Sequence, residues 1–266
     1  MNVVTDYGNS MLNIHAIPAF EDNYIWLIQD QGSQHVLIVD PGEAQPVLEA
    51  IKRQNLIPVA ILITHGCHDH VDGIEELLQH YDVPVYGPKN EFIPHITHPL
   101  SACVGLIIEP SFAAIRVLDI PGHTKGHIGF LIEGCLFCGD TLFGAGCGRL
   151  HSGPARVMFD SLQQIAQLPK ETVVYCAHEY TENNLRFAAM IEPENNEIQQ
   201  RIKDTAVLRQ QNLPSLPSDL ALELATNVFL RCQQESVIQA SRQFAGERVS
   251  SPAEVFSILR TWKDQF

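Results

Sequence analysis

Along the first two-thirds of the chain, short runs of β-branched and other apolar residues alternate with polar turns and with segments of helical period. That alternation predicts an α/β layered domain. Tyr24–Ile28 and His35–Val39 read as the arms of a hairpin around Asp30-Gln31-Gly32-Ser33, and Val59–Ile63 as a buried strand. Val83–Tyr86, Ile115–Ile120, Ile128–Ile132, Leu136–Cys138 and Val173–Cys176 read as further strands. Helices are expected between some of them, over Ala44–Gln54, Ile74–Tyr81 and Arg156–Gln167. After about Tyr180 the strand signal disappears, and helices separated by turns follow, with a Pro-Ser-Leu-Pro-Ser loop at 214–218. The expected division is a larger domain over 1–180 and a smaller all-helical one over 181–266.

The last helix is the best marked. Ser251-Pro252-Ala253-Glu254 supplies an N-cap serine, a proline at the first helical position and a glutamate at N3, the pattern of a capping box. Val255, Ile258, Leu259 and Trp262 fall at i, i+3, i+4 and i+7 and predict the buried face. Arg260 and Lys263 lie together on its flank.

Composition narrows the class. Of 266 residues, 45% are hydrophobic and 18% charged, enough apolar surface for a sizeable core. Basic residues number 17 against 31 acidic, a net −14 that repels phosphate backbones and anionic lipid, so no nucleic-acid or membrane partner is expected. Seven cysteines, an odd number scattered through apolar runs and loops, fit a reducing cytosol rather than a disulfide framework. With neither a signal-peptide pattern nor 18 consecutive apolar residues, the reading is a soluble, cytoplasmic monomer, with residues 1–10 a possible extension ahead of Met11.

The chemistry concentrates at strand ends. Thr64-His65-Gly66-Cys67-His68-Asp69-His70 places five potential metal ligands within six residues, directly after a predicted strand. Three other candidates share that address: His123 in Pro121-Gly122-His123, Asp140 in Gly139-Asp140, and His178 in Ala177-His178. In an open sheet of like-oriented strands, such ends converge on one edge. His65, Cys67, Asp69, His70, His123, Asp140 and His178 are too many for a single tetrahedral zinc, but they suit two ions if one carboxylate bridges. Asp140, the only carboxylate among the three later positions, is the natural bridge. Two such ions can share a hydroxide whose parent water has its pKa lowered from about 15.7 toward about 7. Zinc, iron and manganese all suit the donors.

Thr64–His70, Pro121-Gly122-His123-Thr124-Lys125-Gly126-His127, Gly139-Asp140-Thr141 and Cys176-Ala177-His178-Glu179-Tyr180-Thr181 resemble the successive signatures of the metallo-β-lactamase superfamily. Glu21-Asp22-Asn23-Tyr24, Phe143-Gly144-Ala145-Gly146-Cys147-Gly148-Arg149 and Arg260-Thr261-Trp262-Lys263-Asp264 are similar, within it, to the glyoxalase II family. The resemblance implies a metallo-β-lactamase-like αββα sandwich carrying the catalysis and a C-terminal helical domain that binds substrate. It implies hydrolysis of S-2-hydroxyacylglutathione thioesters such as S-D-lactoylglutathione, with two divalent ions, zinc first. His65, the residue at 67, His123 and Asp140 would hold one ion. Asp69, His70, His178 and the shared Asp140 would hold the other, with Asp69 and Asp140 as the catalytic carboxylates. Arg149, Tyr180, Arg260 and Lys263 match the family's glutathione-binding positions.

The departures are specific. The family pattern is His-x-His-x-Asp-His, whereas Cys67 stands at its second histidine and His68 one place later. Cys67 is the expected ligand, since thiolate binds zinc well, with His68 as the rival. His151-Ser152-Gly153 replaces the usual aromatic-Glu-Gly-Thr, and Asp72 replaces the first of two glycines. His127 reads as a supporting rather than a ligating histidine, and Cys135-x-x-Cys138 as core packing. The rival readings are a lactonase-like hydrolase, a glutathione persulfide dioxygenase, or a catalytically impaired glutathione-binding homologue.

Overall fold

The computed structural model describes residues 12–110, 112–151, 153–246 and 248–266. Residues 1–10 and Ser152, for which expectations were stated above, lie outside the described residues. By backbone contacts the chain divides into one unit of residues up to Asp119 with Gly126–Gly139, and another of Ile120–Lys125 with Asp140–Phe266. This is a different partition from a division at 180/181.

The first unit holds β1 (Leu12–Ala19), β2 (Asn23–Asp30), β3 (His35–Val39), α1 (Ala44–Gln54), β4 (Ile57–Leu62), α2 (His68–Val71), α3 (Ile74–His80), β5 (Val85–Pro88) and β6 (His98–Leu100). These strands form a mixed sheet in the order β1 to β6. β1, β2 and β3 are antiparallel, and β3 through β6 run parallel. Parallel neighbours need a crossover, which α1 supplies between β3 and β4, and α2 with α3 between β4 and β5. Val47 and Ile51 of α1 and Ile74 and Leu77 of α3 pack with Ile25, Leu27, Val36, Ile38 and Ile61 in one apolar core.

The same unit contains β7 (Cys103–Leu106), β8 (Ile115–Asp119), β9 (Ile128–Ile132) and β10 (Cys135–Gly139). They pair antiparallel in sequence order, in a sheet separate from the first. The premise of one open sheet gives way to two, as the αββα class implied by the resemblance has: β4 belongs to one sheet, β8 and β10 to another. Since β8 and β10 both oppose β9, they share a direction, and their last residues lead into His123 and Asp140 respectively.

The second unit contains β11 (Leu142–Phe143), β12 (Gly146–Cys147), α4 (Ala155–Ala166), β13 (Val173–Cys176), α5 (Thr181–Ile191), α6 (Asn196–Gln210), β14 (Ser218–Asp219), α7 (Leu220–Thr226), α8 (Glu235–Ala245) and α9 (Pro252–Gln265). β14 corrects the expectation that strands end before residue 180. It sits at the end of the Pro-Ser-Leu-Pro-Ser loop and pairs with Val173 and Val174, too short to show a period of its own. Phe159, Phe187, Phe229 and Phe256 pack ring to ring at 5.7–6.1 Å between centroids.

α9 differs from its sequence reading in two ways. Ser251 Oγ caps the Glu254 N–H, but the Glu254 carboxylate reaches Ser250 N–H and Oγ–H rather than Ser251, so the box is shifted by one residue. The buried stripe is Val255, Phe256, Leu259 and Arg260, while Ile258 and Trp262 are only half-buried. The stripe is turned so that a guanidinium enters the interior.

Glu223 on α7 is 0% exposed yet fully supplied with donors: Arg201 Nη2 and Ser218 Oγ at 2.6 Å, Ala145 N at 2.9 Å and Asn227 Nδ2 at 3.1 Å. It thereby ties α6 and α7 to the β11–β12 turn. Replacing Arg201 with methionine leaves that carboxylate buried without its cation and is expected to cost about 3–5 kcal/mol. Urea unfolding of the two proteins measures the difference.

Candidate metal centre

The first unit assembles a cluster of ligand-bearing side chains around Asp40, the residue directly after β3, held at φ 52°. Asp40 Oδ1 accepts the Thr64 N–H at 2.7 Å, and Oδ2 accepts the Thr64 hydroxyl at 2.6 Å and the His70 Nδ1–H at 3.0 Å. The Thr64 hydroxyl proton is thus committed to Asp40, which leaves its oxygen lone pairs to accept His65 Nδ1–H at 3.0 Å. Both imidazoles are set in one tautomer, protonated on Nδ1, which makes Nε2 the nitrogen that can act as a ligand. Asp40, His65 and His70 are buried, and each offers a ligand atom within 4.8 Å of the others. The buried His127 ring stacks on His65 at 4.5 Å and 18°.

α2 places Cys67 and His68 differently. The His70 N–H bonds to the Cys67 carbonyl, so these residues are joined across one turn, and Cys67 Sγ lies within 4.8 Å of a His65 ring nitrogen. His68 faces the other way: its side chain is 94% exposed and sits 3.1 Å from Asp72. Asp72 is therefore occupied with an outward histidine. Asp69 is held by Asn23, whose amide donates to Oδ2 at 2.9 Å, and the same oxygen lies 3.5 Å from His70 Nε2.

In the second unit, Asp140 faces two histidines with different oxygens. Oδ2 is 3.4 Å from His123 Nε2 and Oδ1 is 3.4 Å from His178 Nε2. His123 Nδ1–H donates to the Arg149 carbonyl at 2.9 Å, which again turns Nε2 to the carboxylate. His151 donates its N–H to the His123 carbonyl and sets its ring edge-on to the His123 ring, 4.6 Å between centroids. Tyr180 stacks flat on His178, 4.7 Å between centroids and 7° from parallel, and Phe143 meets both rings edge-on.

These spacings fit a divalent ion. Ligand bonds of about 2.0–2.2 Å at tetrahedral angles put neighbouring donor atoms about 3.4 Å apart. The carboxylate–imidazole separations of 3.4, 3.4 and 3.5 Å match that edge length. They exceed ordinary hydrogen-bond distances. Imidazole, carboxylate and thiolate together suit zinc, iron or manganese better than magnesium or calcium.

Three cations gather elsewhere in the second unit. Arg260 is buried, donating Nη1 to the Cys147 carbonyl at 3.0 Å and Nη2 to Asp264 at 2.9 Å, with its guanidinium 5.2 Å from the Phe229 centroid. Arg149, largely exposed, comes within 3.9 Å of the same Asp264. The Lys263 ammonium lies over Phe266 at 4.7 Å and Phe187 at 5.5 Å. Burial, then the Arg260 and Arg149 charges, lower its pKa to about 8. Three positive groups around one carboxylate make a locally cationic patch on an acidic chain.

Sequence reading missed Asp40, Asn23 and Asp264 as parts of these clusters. Asp40 carried the available signal, because Asp40-Pro41-Gly42 follows a predicted strand as the other candidates do.

Residues 19–178 match the family model described as the metallo-β-lactamase superfamily, and residues 179–266 match that of the hydroxyacylglutathione hydrolase C-terminus. The hydroxyacylglutathione hydrolase of Nitrosomonas europaea is 49% identical over 96% of this chain and 97% of its own. That of Aeromonas hydrophila is 49% identical over 96% of this chain and its full length. In fold, the chain is similar to the BLEG-1 B3 metallo-β-lactamase, with TM-score 0.61 and 22% identity over 82% of this chain and 99% of that one. A metallo-β-lactamase from Staphylococcus aureus gives TM-score 0.62 and 19% identity over 96% of this chain and 72% of that one.

Asp40→Ala removes the shared acceptor of Thr64 and His70 and releases both histidine tautomers. Metal affinity is expected to fall about 10–100-fold, as measured by competition with a chelator.

Proposed function

Because the chain belongs to the hydroxyacylglutathione hydrolases of the metallo-β-lactamase superfamily and is a metal-dependent thioester hydrolase, we propose that it hydrolyses S-D-lactoylglutathione and related 2-hydroxyacylglutathiones, the second step of methylglyoxal detoxification. The observation that carries the substrate class is the cationic patch of Arg149, Arg260 and Lys263. Glutathione bears two carboxylates, and a chain of net charge −14 needs local cations to receive them. A lactone offers no such groups, and a persulfide dioxygenase has no use for the full set Asp69, His70 and His178.

His65, Cys67, His123 and Asp140 are assigned to one ion, and Asp69, His70, His178 and Asp140 to the other, with zinc the preferred occupant at the thiolate. Bound divalent ions would supply Lewis acidity, bringing the pKa of water toward about 7. The protein's own groups do the rest. Asp40, Thr64 and the Arg149 carbonyl hold the imidazoles in the ligating tautomer. Asp69, steadied by Asn23, orients the attacking water. Arg260 and Lys263 hold the glutathione end, and Tyr180 the adjoining part of the substrate.

Water oxygen adds to the thioester carbonyl carbon, the C–S bond breaks, and the products are the 2-hydroxy acid and the glutathione thiol. A thiol of pKa about 8.5 leaves without a strong general acid. The chain acts as a monomer in a reducing cytoplasm, where all seven of its cysteines remain thiols.

Loss of S-D-lactoylglutathione absorbance, followed alongside metal content, tests the assignment. The wild type is expected to turn over with about two ions per chain, and Cys67→His to turn over no more slowly. Absent hydrolysis by both proteins with metals loaded would reject it.

Lys263 is charged below its pKa of about 8 and neutral above it, so substrate binding weakens as pH rises through that value. KM is therefore expected to climb above pH 8 with kcat little changed. Lys263→Met should raise KM about 10-fold at neutral pH, the loss of one charge-assisted bond, and flatten the pH profile. An unaltered KM in that variant removes Lys263 from the substrate site.

A further inference from the structure

Between β5 and β6, Glu91 joins two loops by their backbones. Its Oε2 accepts the Gly66 N–H at 2.7 Å, and its Oε1 accepts the Gly126 N–H at 2.9 Å. Gly66 lies between His65 and Cys67, and Gly126 directly precedes His127. The approach is close on both sides, and closer at Gly126 than at Gly66. A Cβ on Gly66 would stand 3.1 Å from Glu91 Oε2 and 3.1 Å from Ile93 Cγ1. One on Gly126 would stand 2.7 Å from Glu91 Cγ and 3.0 Å from the Asn90 carbonyl carbon. Ile93, two residues on, is buried in the core of the first sheet and fixes the segment that carries the carboxylate.

Two other ties connect the same loops. The Ile128 N–H donates to the Thr64 carbonyl at 2.9 Å, and the His127 ring stacks on His65. Those ties act at Thr64 and at His65. Glu91 extends the connection past His65 to the peptide that leads into Cys67.

We propose that Glu91 is a positioning residue for the metal centre: its carboxylate clamps the Gly66 and Gly126 amides and so fixes the separation of the His65 and Cys67 ligand atoms. This rests on the reading that His65 and Cys67 hold an ion. An anionic acceptor with two oxygens suits the task, because one side chain must take an N–H donor on each side. Glutamine has the same length but presents an NH₂ to one of those N–H groups, so it can keep only one of the two bonds. Aspartate keeps the charge but is one methylene too short to span both amides.

Glu91→Gln and Glu91→Asp test the clamp in the full-length chain. Zinc affinity is read by chelator competition, the thiolate-to-metal charge-transfer band after cobalt substitution, and amide hydrogen exchange at Gly66 and Gly126 in the metal-free protein. Both variants are expected to lose about 10–100-fold in affinity for one of the two ions and to show a weakened cobalt–thiolate band. Faster exchange is expected too at whichever of the two glycines loses its acceptor, with the thermal midpoint of the metal-free protein little changed. That last readout separates positioning from a general structural role, which would lower the midpoint and leave the cobalt band of the folded fraction intact. Wild-type affinity and an unaltered cobalt spectrum in both variants would overturn the clamp alone. A wild type that takes up no zinc would overturn the functional reading and the clamp together.

Discussion

The placement of one proton on each imidazole is the constraint from which the chemistry of this chain follows. A histidine can present a lone pair to a cation only from the nitrogen that lacks hydrogen, and in water either tautomer is accessible. Here the choice is made by neighbours: Asp40 for His70, the Thr64 hydroxyl for His65, and the Arg149 carbonyl for His123. Asp40 does double service, because by taking the Thr64 hydroxyl proton it also determines the direction of the bond between Thr64 and His65. A single buried carboxylate thereby orders two rings.

The same logic explains why the acceptors sit at strand ends. A strand interior commits its backbone groups to the ladder, whereas the residue just past its end has freedom to turn a side chain into the site. Asp40 follows β3, Thr64 and His65 follow β4, and Asp140 follows β10. The charges are grouped as well. Carboxylates and a thiol surround the places assigned to cations, while Arg149, Arg260 and Lys263 cluster about Asp264. Asp264 offsets part of their mutual repulsion.

Much of this was legible in the sequence wherever a local pattern carried it. Ala44–Gln54, Ile128–Ile132 and Val173–Cys176 form the elements their periodicity predicts, and the shared strand-end address marked His65, His123, Asp140 and His178. Elements with no pattern of their own were not legible. β6 and β7 are largely exposed, and β11, β12 and β14 are two residues long, so none offers an apolar alternation to read. Arg260 was placed on a helix flank because a guanidinium reads as solvated. Its burial depends on the Cys147 carbonyl 113 residues away, which no window on α9 contains. The different directions of Cys67 and His68 come from the three-residue turn that ends at His70, a feature too short to show in composition.

Cys67 bears on the balance between holding a cation and using it. As a thiolate ligand in place of neutral imidazole, Cys67 would add a unit of negative charge beside His65, strengthening attraction for a soft divalent ion while diminishing the acidity that ion would confer on water. The gain and the loss oppose each other, and the leaving group decides how much the loss matters. A thioester expels a thiolate of pKa about 8.5, far more readily than an amide expels an amine, so the reaction tolerates a weaker nucleophile. A thiolate-bearing site is therefore compatible with thioester hydrolysis where it would be poorly suited to a more demanding bond.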